Sequence, residues 1–141
     1  MANTVMTSFK KELMEGVHDL ATAGDTFKLA LYTSSSTINS AATTIYTTSD
    51  EVGNSGTYSA GGGTLAGQTV TTDGTTAICN FTDLEFTSAT ITARYALIYN
   101  STETNKALCV LDFSTDQVST AGTFKIDFPA SGASTSIIRV A

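Results

Sequence analysis

Apolar residues recur along this chain in two rhythms. Between residues 5 and 20 they fall at helical spacing: Val5, Phe9, Leu13, Val17 and Leu20, backed by Met6 and Met14. Lys10, Lys11, Glu12, Glu15, His18 and Asp19 fill the other side, which predicts a short amphipathic helix ending near Gly24. Thr4, Thr7 and Ser8 are available as caps, and Gly16 weakens the helix by up to about 1 kcal/mol relative to Ala. Such a helix needs a surface to dock on, either its own sheet, which is favoured, or a neighbouring subunit. From Asp25 onward the period becomes alternating. Phe27, Leu29 and Leu31 point one way, with Lys28, Ala30 and Tyr32 opposite.

The densest apolar stretch covers residues 91–113. Two runs rich in aliphatic and aromatic side chains flank the polar segment Asn-Ser-Thr-Glu-Thr-Asn-Lys, which is a hairpin signal. Placing Tyr99 opposite Ala107 pairs Leu97 with Cys109 and Tyr95 with Leu111 on one face. The other face then pairs Ile98 with Leu108, Ala96 with Val110 and Arg94 with Asp112. This register sets a charge pair across the strands and leaves both faces largely apolar, as expected of a central hairpin. A slip of one residue would send Arg94 and Asp112 to opposite faces.

Further strand-like segments cover residues 65–72, 76–81, 84–86, 123–128 and 137–140. Asp73-Gly74 reads as a two-residue turn. Short strands at this spacing, with Gly, Ser and Asn between them, predict a mainly β, antiparallel β-sandwich of jelly-roll or immunoglobulin-like type with one short N-terminal helix. The expected division is an arm and helix over residues 1–24 and a sandwich domain over residues 25–141.

Five glycines lie between Gly53 and Gly63. A phosphate-cradling loop would need a Gly-Lys-Ser/Thr ending and a following helix, and this stretch has neither. It reads as a tight structural loop with Tyr58 as its anchor.

Composition narrows the function. Thr is about a fifth of the chain, and the formal net charge is −6 over 141 residues. Phosphate neutralisation needs a basic surface, so nucleic-acid binding is not expected. No apolar run approaches the roughly 20 residues of a membrane helix, and residues 1–8 lack the features of a signal peptide. Cytosolic synthesis is therefore expected, with no membrane partner.

Candidate chemistry is thin. Cys79 and Cys109 each sit within a strand and read as buried small hydrophobes, and a disulfide would require neighbouring strands. His18 is the sole histidine and is expected on the polar side of the helix, with no nucleophile motif to serve. Asp83 and Glu85 share a strand face without a cleft to make them an acid–base pair. No calcium loop is present, and two cysteines with one histidine make a poor metal set. Asn80-Phe-Thr and Asn100-Ser-Thr match the glycosylation pattern incidentally in a Thr-rich chain. Neither catalysis nor a cofactor is expected.

The residues do carry a resemblance. It rests on the Phe9-to-Leu20 helix, Asp25-Thr-Phe-Lys-Leu-Ala-Leu-Tyr-Thr and Gly56-Thr-Tyr-Ser-Ala-Gly-Gly. It continues through Ala89-Thr-Ile-Thr-Ala-Arg-Tyr-Ala-Leu-Ile-Tyr-Asn and Val110-Leu-Asp-Phe. In this order they resemble small structural proteins of tailed bacteriophages, over nearly the whole chain. Asp50-Glu51-Val52 departs from the Asn-Glu-Val run expected there. The resemblance implies a virion setting and no catalytic residue. Its expected role is a capsid cement or decoration protein, with a tail or fibre component as the alternative. The implied partners are the major capsid protein or other virion proteins, in a homo-oligomer with a trimer favoured. The expected contact residues are Phe9, Leu13 and Val17 on the helix, and Val52, Tyr58 and Leu65 around the glycine loop. Arg94 and Asp112 are expected as a structural pair.

Overall fold

The computed structural model describes residues 3–141. Strand β1 (Thr4–Val5) leads into helix α1 (Thr7–Met14), and β2 (Phe27–Tyr32) follows. After a long loop come β3 (Gly63–Thr64), β4 (Thr69–Asp73) and β5 (Thr76–Asn80). The two longest strands, β6 (Leu84–Asn100) and β7 (Lys106–Ile126), precede β8 (Ile138–Val140). They form a five-stranded sheet, in the order β1-β7-β6-β2-β3, and a three-stranded sheet, β4-β5-β8. All pairings are antiparallel, and one core draws on both sheets. The architecture is therefore mainly β, with two sheets and one short helix, as the alternating period implied.

The segments expected at 84–86, 91–113 and 123–128 are one continuous ribbon of β6 and β7. Its loop end closes at Asn100 opposite Lys106, and Tyr99 does lie opposite Ala107. Beyond that pair the expected register fails. Leu108 is an extra residue, so Ile98 meets Cys109, Leu97 meets Val110 and Tyr95 meets Asp112. At this bulge the Leu108 carbonyl accepts the Met6 amide at 3.0 Å, on the β1 side of the strand.

A second irregularity lies between Ala93 and Tyr95. Ala93 pairs with Gln117 while Tyr95 pairs with Asp112, so Arg94 alone spans the run from Phe113 to Asp116. Within that run Ser114 takes φ 67°. Arg94 reaches across the bulge to Asp116, Nε to Oδ1 at 3.0 Å. The expected Arg94–Asp112 pair does not form. Asp112 instead accepts the Ser114 amide at 2.8 Å and so shapes the bulge.

The N-terminal segment contributes to the same core. β1 pairs with β7, Met6 is fully buried and Phe9 is 2 % exposed. The helix is shorter than its period suggested, because Gly16 ends it. Gly16 takes φ 72°, its amide donates to the Leu13 carbonyl, and the Val17 amide donates to the Glu12 carbonyl. This is the double hydrogen bond of a Schellman stop, with glycine in the left-handed position. At the other end Met6 is the cap residue and no side chain caps the helix. The Asp73-Gly74 turn is displaced by one residue. Asp73 pairs with Thr76, leaving Gly74 and Thr75 as the loop.

Candidate functional site

Two polar constellations and one exposed strand hold the residues that could act. The first is built around Glu51, in the glycine loop. Its Oε2 accepts the Tyr46 hydroxyl at 2.6 Å, while Oε1 accepts the Tyr58 hydroxyl at 2.8 Å and the Gly61 amide at 2.6 Å. Tyr58 in turn accepts the Leu31 amide at 2.8 Å, which ties the loop to β2. The Tyr99 hydroxyl donates to the Gly61 carbonyl at 2.6 Å, and the Tyr99 ring stacks on Tyr46 with centroids 4.8 Å apart.

Burial holds the phenols of Tyr32, Tyr46, Tyr58 and Tyr99 above their ordinary range, and the nearby Glu51 carboxylate adds to this. For Tyr99 the value is pushed up to about 12. Glycine is required where the loop meets the sheet. A Cβ on Gly62 would lie 1.8 Å from the Leu29 carbonyl oxygen, and one on Gly56 would lie 2.2 Å from that of Thr87. The loop is thus a structural element pinned by one carboxylate, with Tyr58 as its anchor. Every oxygen of Glu51 is spent on holding it.

The second constellation surrounds His18. The helix ends before this residue, so the side chain escapes the helical period and turns inward, with no exposed side-chain surface. It is not the solvent-facing residue the sequence implied. Nε2 lies 2.7 Å from Glu12 Oε2, Nδ1 lies 3.0 Å from Asn100 Nδ2, and the ring packs on Phe9 at 5.1 Å. Lys106 Nζ stands 3.6 Å from Glu12 Oε1. Asn100 also donates to Asp25 Oδ2 at 2.8 Å, and its own Oδ1 accepts the amides of Thr102 and Glu103. The cluster fastens the segment after α1 to the tip of the β6–β7 ribbon.

Both glycosylation matches are absorbed into the fold. Asn100 is fully buried, and Asn80 is nine-tenths buried with its amide donating to the Pro129 carbonyl at 2.7 Å.

The cysteines are free, buried and on different sheets, Cys79 in β5 and Cys109 in β7. Burial pushes their thiols up, to about 11 and about 12 respectively, which removes the thiolate a nucleophile needs. Asp83 accepts the Phe128 amide at 2.8 Å and pairs with Lys125. The Phe128 amide is the main reason its carboxyl sits below the usual range, and the pairing with Asp127 and Asp83 holds Lys125 above its own. Glu85 lies opposite Lys125 in the ladder. No group of three or more His, Cys, Asp or Glu suited to a metal exists among the described residues. No described helix is long and apolar enough to cross a membrane.

The expected contact residues turn inward. Phe9, Val52, Tyr58 and Leu65 are all buried in the core, and Leu13 packs against it. Val17 is half-buried. Their apolar side chains anchor helix and loop to the sheets, which leaves little for a neighbour. What does face outward is β4. It is an edge strand, and all five of its residues are exposed, Val70 at 52 %. It carries no Lys, Arg or Pro and pairs with β5 without a register shift. The outer part of β7 is different, broken by left-handed Ser114 and Ala121 and carrying Asp112 and Asp116. Natural edges are usually blunted by charge, proline, bulges or shortness, and β4 has almost none of these devices. Sequence reasoning missed it because a Thr-rich run with a single Val reads the same on a covered strand as on an open one.

A cleft of about 920 Å³ lies between the outer part of β7 and the C-terminal segment. Leu111, Phe113, Phe124 and Phe128 line it, with Lys125 and Arg139 among its charged residues. Compared with known proteins, the chain matches no family model, no curated protein and no solved structure.

Proposed function

We propose that this chain is a non-enzymatic structural protein of a tailed-bacteriophage virion, acting as a capsid cement or decoration protein on the assembled head. The observation that carries the reading is the contrast between spent polar groups and an open edge. Glu51, His18, Asn100 and the buried tyrosines are occupied with internal hydrogen bonds, whereas β4 offers another chain an exposed edge strand without Lys, Arg, Pro or bulge, its one charge being Asp73 at its end. A Thr-rich surface of low charge density suits packing against many copies of a partner. The residue resemblance supplies the setting.

In this reading the protein binds the finished shell better than free capsid subunits. It stabilises the shell by that difference in affinity. A symmetric homo-oligomer, with a trimer favoured, would match a lattice axis. The contact passes from the buried Phe9, Val52, Tyr58 and Leu65 to β4 and the exposed Val118 and Met14. A tail or fibre role is the alternative. It loses the aromatics that would have served it, because Tyr58 is buried and Tyr46 is stacked on Tyr99.

The test is the copy number and position of the protein in purified virions. Hundreds of copies on heads are expected, and a handful confined to tails ends the cement reading. Val70→Lys should abolish incorporation while the protein stays folded; full incorporation of that variant removes β4 from the contact.

A further inference from the structure

The turn between β4 and β5 decides which backbone groups β4 shows to solvent. Asp73 pairs with Thr76 across a two-residue loop, with Gly74 at φ 60° in its first position. In such a loop the closing pair is a hydrogen-bonded one. The alternation then runs back along the strand. Asp73, Thr71 and Thr69 turn their N–H and C=O groups to β5, while Val70 and Thr72 turn theirs outward. Side chains give no cover, because every residue of the strand is exposed. The outward run is bounded at both ends. Gly74 leaves the strand at one end, and at the other Gln68 is anchored inward, its amide donating to the Ala21 and Asp25 carbonyls.

We propose that this edge is taken by β4 of a second copy, antiparallel about a two-fold axis through the Thr71 pair. The inference rests on reading β4 as a contact edge and names its occupant. In this register Val70 of each copy faces Thr72 of the other. These are the outward residues, so each pair exchanges both of its hydrogen bonds and no outward group of the strand is left over. The two three-stranded sheets become one continuous sheet. The side chains agree with the backbone. Val70 and Thr72 are β-branched partners, Thr71 meets Thr71, and Asp73 meets Thr69, whose hydroxyl can donate to it. Asp73 Oδ2 holds the Ala133 amide at 2.7 Å, which leaves Oδ1 for that hydroxyl. The two Asp73 residues stand about 13 Å apart, whereas a parallel pairing in register would set them side by side. The other edges among the described residues lack this self-match. β1 and β3 are each two residues long, and a pairing centred on β8 would set Arg139 against its own copy. The outer part of β7 is broken at Ser114 and Ala121, and that of β6 is bonded to the glycine loop through Thr87 and Thr90.

A pairing of one five-residue strand is a small contact, under the roughly 1,000 Å² of a stable complex, so the free protein should pair with a Kd on the order of 100 μM. Copies held side by side on a shell would pair at a higher effective concentration. The experiment reads the register first. Thr71→Cys places two thiols at the axis with Cα atoms about 4.5 Å apart, within disulfide reach, whereas those of Thr69→Cys stand about 13 Å apart. Cys79 and Cys109 are buried and do not compete. With diamide as the oxidant, Thr71→Cys should form the disulfide-linked dimer about tenfold faster than Thr69→Cys or more, and equal rates overturn the register. Sedimentation equilibrium of the unaltered chain should show even-numbered species that grow with concentration and with salt, because each copy carries a net charge of −6. A monomer or a plain trimer at every concentration up to about 1 mM overturns the pairing. Thr72→Pro removes an outward amide and no bond to β5, so it should stay folded by circular dichroism and lose the association. A folded Thr72→Pro that still associates also refutes the proposal. All of these readings are made on the free protein, so their failure leaves the cement reading to be decided by the count of copies on heads.

Discussion

The two halves of the β6–β7 ribbon are made of the same chain and behave differently. Near the loop end, Tyr95 to Asn100 are buried without a break, as are Ala107 to Leu111. In the outer half burial alternates. Phe86, Ala89, Ile91 and Ala93 of β6 are buried, and so are Ser119, Phe124 and Ile126 of β7, with exposed residues between most of them. The inner half is covered on both faces and flanked by β1 and β2; the outer half has one wet face. The division falls at the Arg94 bulge. One hairpin thus serves as the centre of one sheet and, farther out, as a half-exposed flap, so hydrophobicity alone does not say where a strand ends.

The largest break in this comparison should come from the inner half. Leu97→Ala is expected to cost about 2–5 kcal/mol, whereas Val118→Ala on the wet face should fall within about 0.5 kcal/mol. Denaturant unfolding of the two variants tests this, and equal losses would erase the distinction. Next comes the loop that supports the ribbon. Glu51→Ala leaves two tyrosine hydroxyls and the Gly61 amide without their acceptor, at a cost of about 3 kcal/mol by the same measurement.

A pH series sharpens the picture further. Tyr32, Tyr46, Tyr58 and Tyr99 keep their protons more tightly when folded, so the native state binds more protons than the unfolded one above a phenol's ordinary pKa. Their contribution is intact below about pH 10 and is lost as the pH climbs past it. Phenolate absorbance should therefore appear together with loss of structure, and early titration of all the phenols in a folded chain would contradict their burial. The smallest effect belongs to the bulge itself. Arg94 and Asp116 are each partly exposed, so Arg94→Met should cost about 0.2–1 kcal/mol and leave the fold intact. Loss of folding in that variant would return Arg94 to the structural spine.

Much of this fold was legible in the sequence. Alternation located β2, β5 and the ribbon, and the glycines marked a loop that meets a sheet closely. What stayed hidden depends on contacts distant along the chain. The Leu108 carbonyl at the bulge is taken by Met6, more than a hundred residues away, and no local pattern carries that information. The inward turn of His18 follows from the helix stopping at Gly16, and that stop was readable: a glycine after a run ending in Lys11 and Glu15 fits a C-terminal signal. The Glu51 hub left a fainter mark, a single acid beside tyrosines whose hydroxyls needed acceptors. The burial of the expected contact residues was hidden for a simpler reason. An apolar side chain in a helix or a loop reads the same whether its own core or a neighbour covers it, and here Phe9, Val52, Tyr58 and Leu65 lie in the chain's own core.

The pairing of β1 with β7 has a kinetic consequence. Thr4 meets Val110 and Val5 meets Cys109, partners separated by more than a hundred residues of chain. Residues made early therefore wait for residues made late. Met6 and Phe9 stay uncovered until the ribbon exists, and closing so long a loop is slow compared with forming a local hairpin. The ribbon should form first and the amino-terminal segment should dock last, so the final step of folding is also the one that seals the bulge at Leu108.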